Sequence, residues 1–413
     1  MRHIVSCKPS GTGASWPGLP ARSQTELAAD ALTRCPAADA RALRRLLPKL
    51  PILGVTRMTD LTELDRLGIP VVSAIRPGVD RAQITLAQGK GPTLVAAAVS
   101  ALMEAAERRC AARVGVRRQG SLTQLRDEGR RLFGPEEFGA PEWQTGAVVE
   151  WVAGTAFGTG EETWVPAASV YFPYKPPANV MRPLRPSTTG LAAGPTLSHA
   201  ILHGLLEVIE RDAVSRLHAG HPPAAVDLET VDDAGVRALT ACFRRANVDL
   251  AVLDLSSAAV APTYLVLSLD EGWVGPPKIV GGQASHLDAR VALRRALYEV
   301  AQSRLVALQG SREDLERHAT RWTPSFYETR AQFELLRCLA EANGVQRVPA
   351  PPQIWPTIEG MVRELLDRLA QTGCQQGVWT DLTDPDLGIP VARVFIAGHA
   401  DLVVRNSASG HAS

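Results

Sequence analysis

Two stretches of this chain, Gly91 to Arg108 (GPTLVAAAVSALMEAAER) and Gly194 to Arg211 (GPTLSHAILHGLLEVIER), open on the same four residues and close on the same Glu-x-x-Glu-Arg, 103 positions apart. Each reads as a long helix. At 100° per residue, Val95, Ala98, Val99, Leu102 and Ala106 form one stripe, and Ser100, Glu104 and Glu107 fall on the opposite face. In the second stretch Ile201, Leu202, Leu205 and Ile209 oppose His203, Glu207 and Glu210. Charges opposite an apolar stripe are usually a solvated face, and Glu to Arg at i, i+4 adds only about 0.3 kcal/mol. Solvated faces drift freely, however, whereas here the charges recur in register while most apolar positions have changed. A third predicted helix carries a variant, ALYEVAQSR, with Glu299, Gln302 and Arg304 in a similar arrangement.

Four clustered carboxylates repel one another unless a cation sits among them. Hard oxygen ligands suit Mg²⁺, which is commonly shared between protein carboxylates and nucleotide phosphates. The arginines then meet phosphate or pair with the carboxylates. The repeated faces therefore predict a Mg²⁺–nucleotide site. The common nucleotide motifs are absent: QGKGPT (Gln88 to Thr93) lacks the earlier Gly of a P-loop, and GTGASW (Gly11 to Trp16) fails the dinucleotide pattern. No His-Glu zinc motif or nucleophile elbow occurs.

With 413 residues, 45% of them hydrophobic, the chain can bury a large core. A net charge of +1 excludes a global field for nucleic acid or a membrane surface. No apolar run is long enough for a membrane span and the start lacks a secretory core, so a cytoplasmic protein is expected. The six cysteines stand singly, with no zinc knuckle or redox pair. Residues 1–50 read as a loose leader and a helix near Ala37 to Leu46, and residues 51–413 as an α/β (α+β) unit with mixed sheets. Strands are predicted in IPVVSAIRP, AQITLAQGKG, GAVVEWVAG, VYFPY, VDLAVLDLS and PTYLVLSLD. Helices are predicted near Thr93–Ala112, Leu122–Leu132, Leu197–Ala219, Val231–Ala246, Asp288–Gln309 and Thr357–Thr372. The Pro- and Gly-rich segment Phe172 to Thr196 reads as a functional loop.

The motifs LDRLGIPVVSAIRP, QGKG, SALMEAAER, GLAAGPT, LHGLLEVIERDA, ALRRALYEVAQSRL, GSREDL and DLGIPVARVFIAG together resemble the YcaO superfamily over roughly Leu53 to Gly398. The wording is most similar to the stand-alone branch found beside TfuA proteins. The resemblance implies a non-P-loop fold that binds ATP and Mg²⁺ and activates a peptide backbone amide through phosphorylation of its oxygen. A neighbouring Cys, Ser or Thr of the substrate would then give an azoline, sulfide a thioamide, and an amine an amidine. Carried over by position, Ser100, Glu104 and Glu107 contact ATP and Mg²⁺, as do Glu207, Glu210 and Arg211, with the four glutamates as the metal ligands. Arg211, Glu299 and Gln302 are the expected catalytic residues.

Two departures bear on activity. GPTLSHA stands where the family commonly has G-N-T-x-x-E-A, so Pro195 replaces an Asn and His199 a Glu; Thr189 also occupies a frequent Asn position. His199 is retained among the expected nucleotide contacts. The expected partners are a precursor peptide and a TfuA-like or leader-recognition protein, and the resemblance admits a homodimer. The alternative expectation is a degenerate homologue that binds a peptide or partner without turnover.

Overall fold

The computed structural model describes residues 2–6, 37–80, 83–139, 143–184, 187–256, 260–273, 278–310, 326–349, 355, 357–374 and 376–399. Three sheets alternate along the chain with three long helices. In the first sheet β1 (Arg2–Ser6), β2 (Arg57–Asp60), β3 (Val71–Ile75) and β4 (Leu86–Lys90) run antiparallel in that order. The second sheet is ordered β5 (Arg118–Gly120), β6 (Val149–Ala156), β14 (Gly377–Asp381), β15 (Val391–Ile396) and β8 (Leu191–Ala193), with β7 (Glu162–Pro166) also on β6. The third is ordered β12 (Ile279–Ser285), β11 (Thr263–Leu269), β10 (Asp249–Asp254), β9 (Ala224–Val226) and β13 (Val345–Gln346); its β9–β13 pair is parallel. The mixed α/β class is as expected. Among the described residues no helix is long and apolar enough to cross a membrane.

Seven helices of ten or more residues are described: α1 (Ala37–Leu46), α2 (Leu94–Ala112), α3 (Leu197–His218), α4 (Ala234–Arg245), α5 (Ala289–Gln309), α6 (Phe326–Ala342) and α7 (Ile358–Gln371). The three longest start alike. Thr93 accepts a hydrogen bond from the Ala96 amide, Thr196 from that of His199 and Asp288 from that of Arg290. Each cap leaves the chain extended until the helix begins and satisfies one of its orphan donors. In each case an edge strand leads directly into the cap: β4 into α2, β8 into α3 and β12 into α5.

These three strand–helix units close into a ring. Helix α2 packs on its own β4 and reaches β8; α3 packs on β8 and β15 and reaches β12; α5 packs on β12 and reaches β4. The approach is close enough to dictate sequence. A Cβ on Gly89 of β4 would lie 2.1 Å from the Ala101 nitrogen and the Ala97 oxygen of α2, and one on Gly282 of β12 would lie 2.3 Å from the Val300 nitrogen of α5. Ala97, Ala98, Ala101 and Leu102 of α2, with Val72, Ala74 and Ala87 of the sheet, form the buried contact of the first unit. Ala292, Leu293, Ala296 and Leu297 of α5, with Val266 and Ala284, do the same in the third.

The structure also departs from the sequence reading. VYFPY, expected as a strand, follows a helical turn at Ala167–Val170. The Tyr171 amide donates back to Ala167, that of Phe172 donates to Ala111, and Pro173 has no donor, so no ladder forms. The helix expected over Leu122–Leu132 ends at Asp127, where Gly129 adopts φ +73. The helix expected from Val231 begins at Ala234, capped by Asp233. Strand β12 was not foreseen, because its adjacent Gly281 and Gly282 mimic a turn. Within the expected N-terminal leader, residues 2–6 form β1; residues 7–36, the GSREDL tail beyond Gly310 and the C-terminal RNSASGHAS lie outside the described residues.

A Cβ at Gly89 has nowhere to go, so Gly89→Ala is expected to lower unfolding stability by about 1–3 kcal/mol or more. Gly78→Ala, whose Cβ would meet nothing within 4 Å, is expected to stay within about 0.5 kcal/mol of the parent. Urea unfolding followed by circular dichroism checks both.

Candidate functional site

The ring of strands and helices surrounds a cavity of about 990 Å³. Ser100, Glu104 and Glu107 of α2, Glu207 and Arg211 of α3, and Glu299 and Gln302 of α5 all line it. Three helix faces read separately from the sequence thus meet across one space. Two predicted residues do not line it. Glu210 lies just behind, with its carboxylate 12% exposed and 3.7 Å from the Arg211 guanidinium. His199 turns to the cap of its own helix, its Nδ1 2.8 Å from the Thr196 hydroxyl.

The strand edges orient the carboxylates. The Gln88 amide of β4 donates to Glu104 at 2.6 Å, and the Gln302 side chain donates to the Gln88 carbonyl at 3.1 Å. At β8, the Ala193 amide donates to Glu107 at 2.8 Å, and the adjoining Gly190 amide donates to Glu207 at 3.1 Å. Cations complete the set. Arg108 Nε donates to Glu104 at 2.9 Å, Arg211 lies 3.5 Å from Glu207, and Lys90 Nζ donates to Glu299 at 2.7 Å.

Burial shapes the protonation of these groups. It pushes the Glu107 carboxyl up to about 8, with Glu104 and Glu207 adding repulsion and the Ala193 amide opposing it. Burial likewise pushes Glu210 up to about 8, with Glu299 and Glu207 adding repulsion and Arg211 and Lys90 opposing it. Glu207 is raised as well, again chiefly by burial. On the same wall, burial and then the Arg295 charge hold His203 down at about 3, so it is neutral.

These oxygen donors fit Mg²⁺ with a polyphosphate. Among the described residues no three Asp, Glu, His or Cys side chains close on one point as a cage. Mg²⁺ rarely uses such cages; it takes one or two carboxylates and keeps waters and phosphate oxygens. A second cleft of about 490 Å³ between α7 and the second sheet contains none of the predicted site residues.

The third helix shows one register difference. Counted from the caps Thr93, Thr196 and Asp288, the first glutamate of each helix is Glu104, Glu207 and Glu299. The arginine position is then Arg108, Arg211 and Ser303, and Ser303 lines the cavity. Arg304, grouped with Glu299 in the sequence reading, points elsewhere. It is buried, bonds Asp65 at 2.7 and 3.0 Å and Asp270 at 2.9 Å, and lies under Trp273. Its one-residue offset turns it about 100° from the site.

Sequence reasoning passed over several lining residues. Asp39 and Arg45 of α1, Lys49 beyond it, and Lys90 all contribute; residues between Thr188 and Pro195, which also line it, fall within the segment read as a functional loop. Lys90 was visible inside QGKG but was weighed only as a P-loop lysine. The α1 residues carried no signal, because only the packing of α1 on α2 brings them to the cavity.

A family model described as YcaO cyclodehydratase, ATP- and Mg²⁺-binding, matches residues 88–400. A protein of Methanothermobacter thermautotrophicus is 34% identical over 358 residues, covering 85% of this chain and 91% of that one. A protein encoded in the tfuA 3′ region of Rhizobium leguminosarum bv. trifolii is 31% identical over 382 residues, covering 87% of each. The solved structure of YcaO from Methanopyrus kandleri bound with AMPPCP and Mg²⁺ superposes with a TM-score of 0.71 at 26% identity, covering 91% of this chain and 94% of that one.

The raised carboxyls fix the sign of a pH effect in the ligand-free protein. Between about pH 4.5 and 8 the folded chain holds protons on Glu107 and Glu210 that the unfolded chain releases. Their contribution to stability is therefore full below about 4.5 and is lost as pH rises through 8. The melting temperature of the ligand-free protein is expected to fall between pH 6 and 9, and Glu107→Gln is expected to flatten that slope. Calorimetric scans across the range check it.

Proposed function

The chain belongs to the YcaO family, which binds ATP and Mg²⁺, and from that premise we propose that it is an ATP-dependent enzyme that activates a backbone amide of a ribosomally made peptide, with thioamide formation as the leading outcome over azoline or amidine formation. The observation that carries this reading is the convergence of Glu104, Glu107, Glu207 and Glu299 on one cavity, each hydrogen-bonded by a strand amide or a lysine before any ligand arrives. The relative encoded in the tfuA 3′ region supports a TfuA-like partner, and the TfuA-associated branch that the sequence resembles is associated with thioamide formation on ribosomally made peptides.

Bound Mg²⁺–ATP would supply an electrophilic phosphoryl group that turns the amide oxygen into a leaving group. The chain's own residues prepare for it. Glu104 and Glu107 on one wall and Glu207 on the other are the oxygen donors that would hold the cation, with Glu210 just behind them. The Gln88, Gly190 and Ala193 amides keep three of these carboxylates in place, so little reorganisation is needed at the moment of reaction. Ser100 and Arg211 face the same space and would meet the phosphates. Glu299 and Gln302, fixed to Lys90 and to the Gln88 carbonyl, hold the third wall where the amide would approach. No cysteine lines the cavity among the described residues, in keeping with a nucleophile that comes from the substrate or from an external donor.

A second reading is a degenerate homologue that binds a peptide or partner without turnover. Its support is local: Pro195 lines the cavity where the family commonly has Asn, and His199 faces Thr196. The two readings part on ligand binding. Wild-type protein is expected to gain about 2.7 kcal/mol of stability at a hundredfold excess of Mg²⁺–ATP over its Kd, and Glu207→Ala is expected to lose that gain. Co-expression with short peptides encoded beside the gene is expected to yield a product in which one amide oxygen has been exchanged for sulfur. Glu104→Gln or Glu207→Gln is expected to cut its formation by about 100-fold or more. Absence of thermal stabilisation in the wild type would favour the degenerate reading. Loss of water from the peptide, read by mass spectrometry, would move the assignment to azoline or intramolecular amidine formation.

A further inference from the structure

The ring is electrostatically uneven. At the first two positions a glutamate is followed four residues later by an arginine on the same helix: Glu104 with Arg108, and Glu207 with Arg211. At the third, Glu299 is followed by Ser303, which cannot neutralise it. The missing cation arrives from a different element. Lys90, the last residue of β4, reaches across to α5 and donates to Glu299 at 2.7 Å. Lys90 stands three residues before its helix cap, and the equivalent residues before the other two caps are the uncharged Ala193 and Ser285. The lysine is thus peculiar to one unit, and it sits where the third unit lacks an arginine.

We propose that Lys90 is a built-in cation of the nucleotide site and a direct ligand of the triphosphate. The inference rests on the reading that Mg²⁺–ATP occupies this cavity. Three features carry it. Lys90 lines the cavity with Glu104, Glu207 and Arg211. Its side chain is 24% exposed and is part of the cavity lining. An ammonium has three donors; Glu299 takes one, and among the described residues the other two have no protein acceptor. An ammonium is also a compact point charge, suited to phosphate contact without the fixed fork of a guanidinium. Glu299 then acts as the positioning residue that keeps the long side chain extended into the cavity.

The alternative is an ion pair of purely structural value, and a double-variant titration separates the two. Mg²⁺–AMPPCP and, separately, AMP are titrated calorimetrically into the full chain carrying Lys90→Met, Lys90→Arg, Glu299→Gln or Lys90→Met with Glu299→Gln. Direct contact predicts that Lys90→Met loses roughly 10- to 100-fold in AMPPCP affinity, that Lys90→Arg retains most of it, and that AMP binding changes far less. It also predicts that adding Glu299→Gln does not recover the loss, even where it restores the melting temperature. A double variant that binds AMPPCP within about twofold of wild type would overturn the proposal, because the lysine would then matter only as a partner of Glu299. So would an unchanged affinity in folded Lys90→Met. If Lys90→Met fails to fold, Lys90→Gln is titrated in its place against the same two criteria. Wild-type protein that does not bind Mg²⁺–AMPPCP would overturn both this inference and the proposed function; normal wild-type binding with either of the other results overturns this inference alone.

Discussion

Everything in this structure depends on keeping five carboxylates close together without letting them drive one another apart. Glu107, Glu207 and Glu210 are buried deeply enough that burial raises their proton affinity. Isolated buried charges of this kind are ordinarily untenable. Here protonation of Glu107 and Glu210 removes part of that charge in the ligand-free protein, and the backbone adds compensation of its own. Gln88, Gly190 and Ala193 donate amide hydrogens that an edge strand would otherwise show to solvent or to another chain. The carboxylates need donors and the strand edges need acceptors, so each solves the other's problem. The arrangement is poised for ligand because its charge is only partly balanced from within.

That exchange explains the ring. A helix packs on its own strand through its apolar face, and its acidic end accepts from the backbone around the cavity, Glu104 and Glu207 from their own units and Glu107 from the next, so three units placed edge to helix enclose a polar centre with apolar layers outside. The glycine at each tight crossing follows from the same demand. Unless α2 rests almost on the β4 backbone, Glu104 cannot reach the Gln88 amide, and Gly89 is the residue that permits the approach. Packing and electrostatics are therefore one constraint, felt at adjacent residues.

Legibility in the sequence followed how local each signal was. The long helices were readable because their caps and their 100° periodicity lie within one segment: Thr93 and Thr196 mark the starts, and the acidic stripe is visible by counting. The two-helix duplication pointed to convergence before any coordinates. What depended on contacts between distant segments was not readable. Strand β12 was hidden by Gly281 and Gly282; the meaning of Gly282 lies in its close approach to α5 and that of Gly281 in the side chains of β11, not in their sequence neighbours. Arg304 was misgrouped because spacing from a glutamate is a weaker ruler than spacing from a cap; a helix phase shifts by 100° with one residue. Helix α1 gave no hint of the cavity, since its Asp39 and Arg45 carry no pattern that ordinary surface charges lack.

The two departures from the family pattern weigh differently once their places are known. A carboxylate at position 199 could lend one more hard ligand to a cation, and His199 cannot replace it in that role. Yet the imidazole engages Thr196, the hydroxyl that caps α3, so the substitution has a structural use of its own. Glu207 lines the cavity and Glu210, on the same helix, lies just behind it; both retain the burial that makes a cation favourable there. Had the nucleotide site been abandoned, nothing in the fold would oppose replacing these buried acids with apolar residues, a change that commonly leaves stability equal or better. Their presence beside His199 is the physical argument that supports the proposed cation site, in which the protein would supply one fewer ligand and leave more of the coordination to water and phosphate.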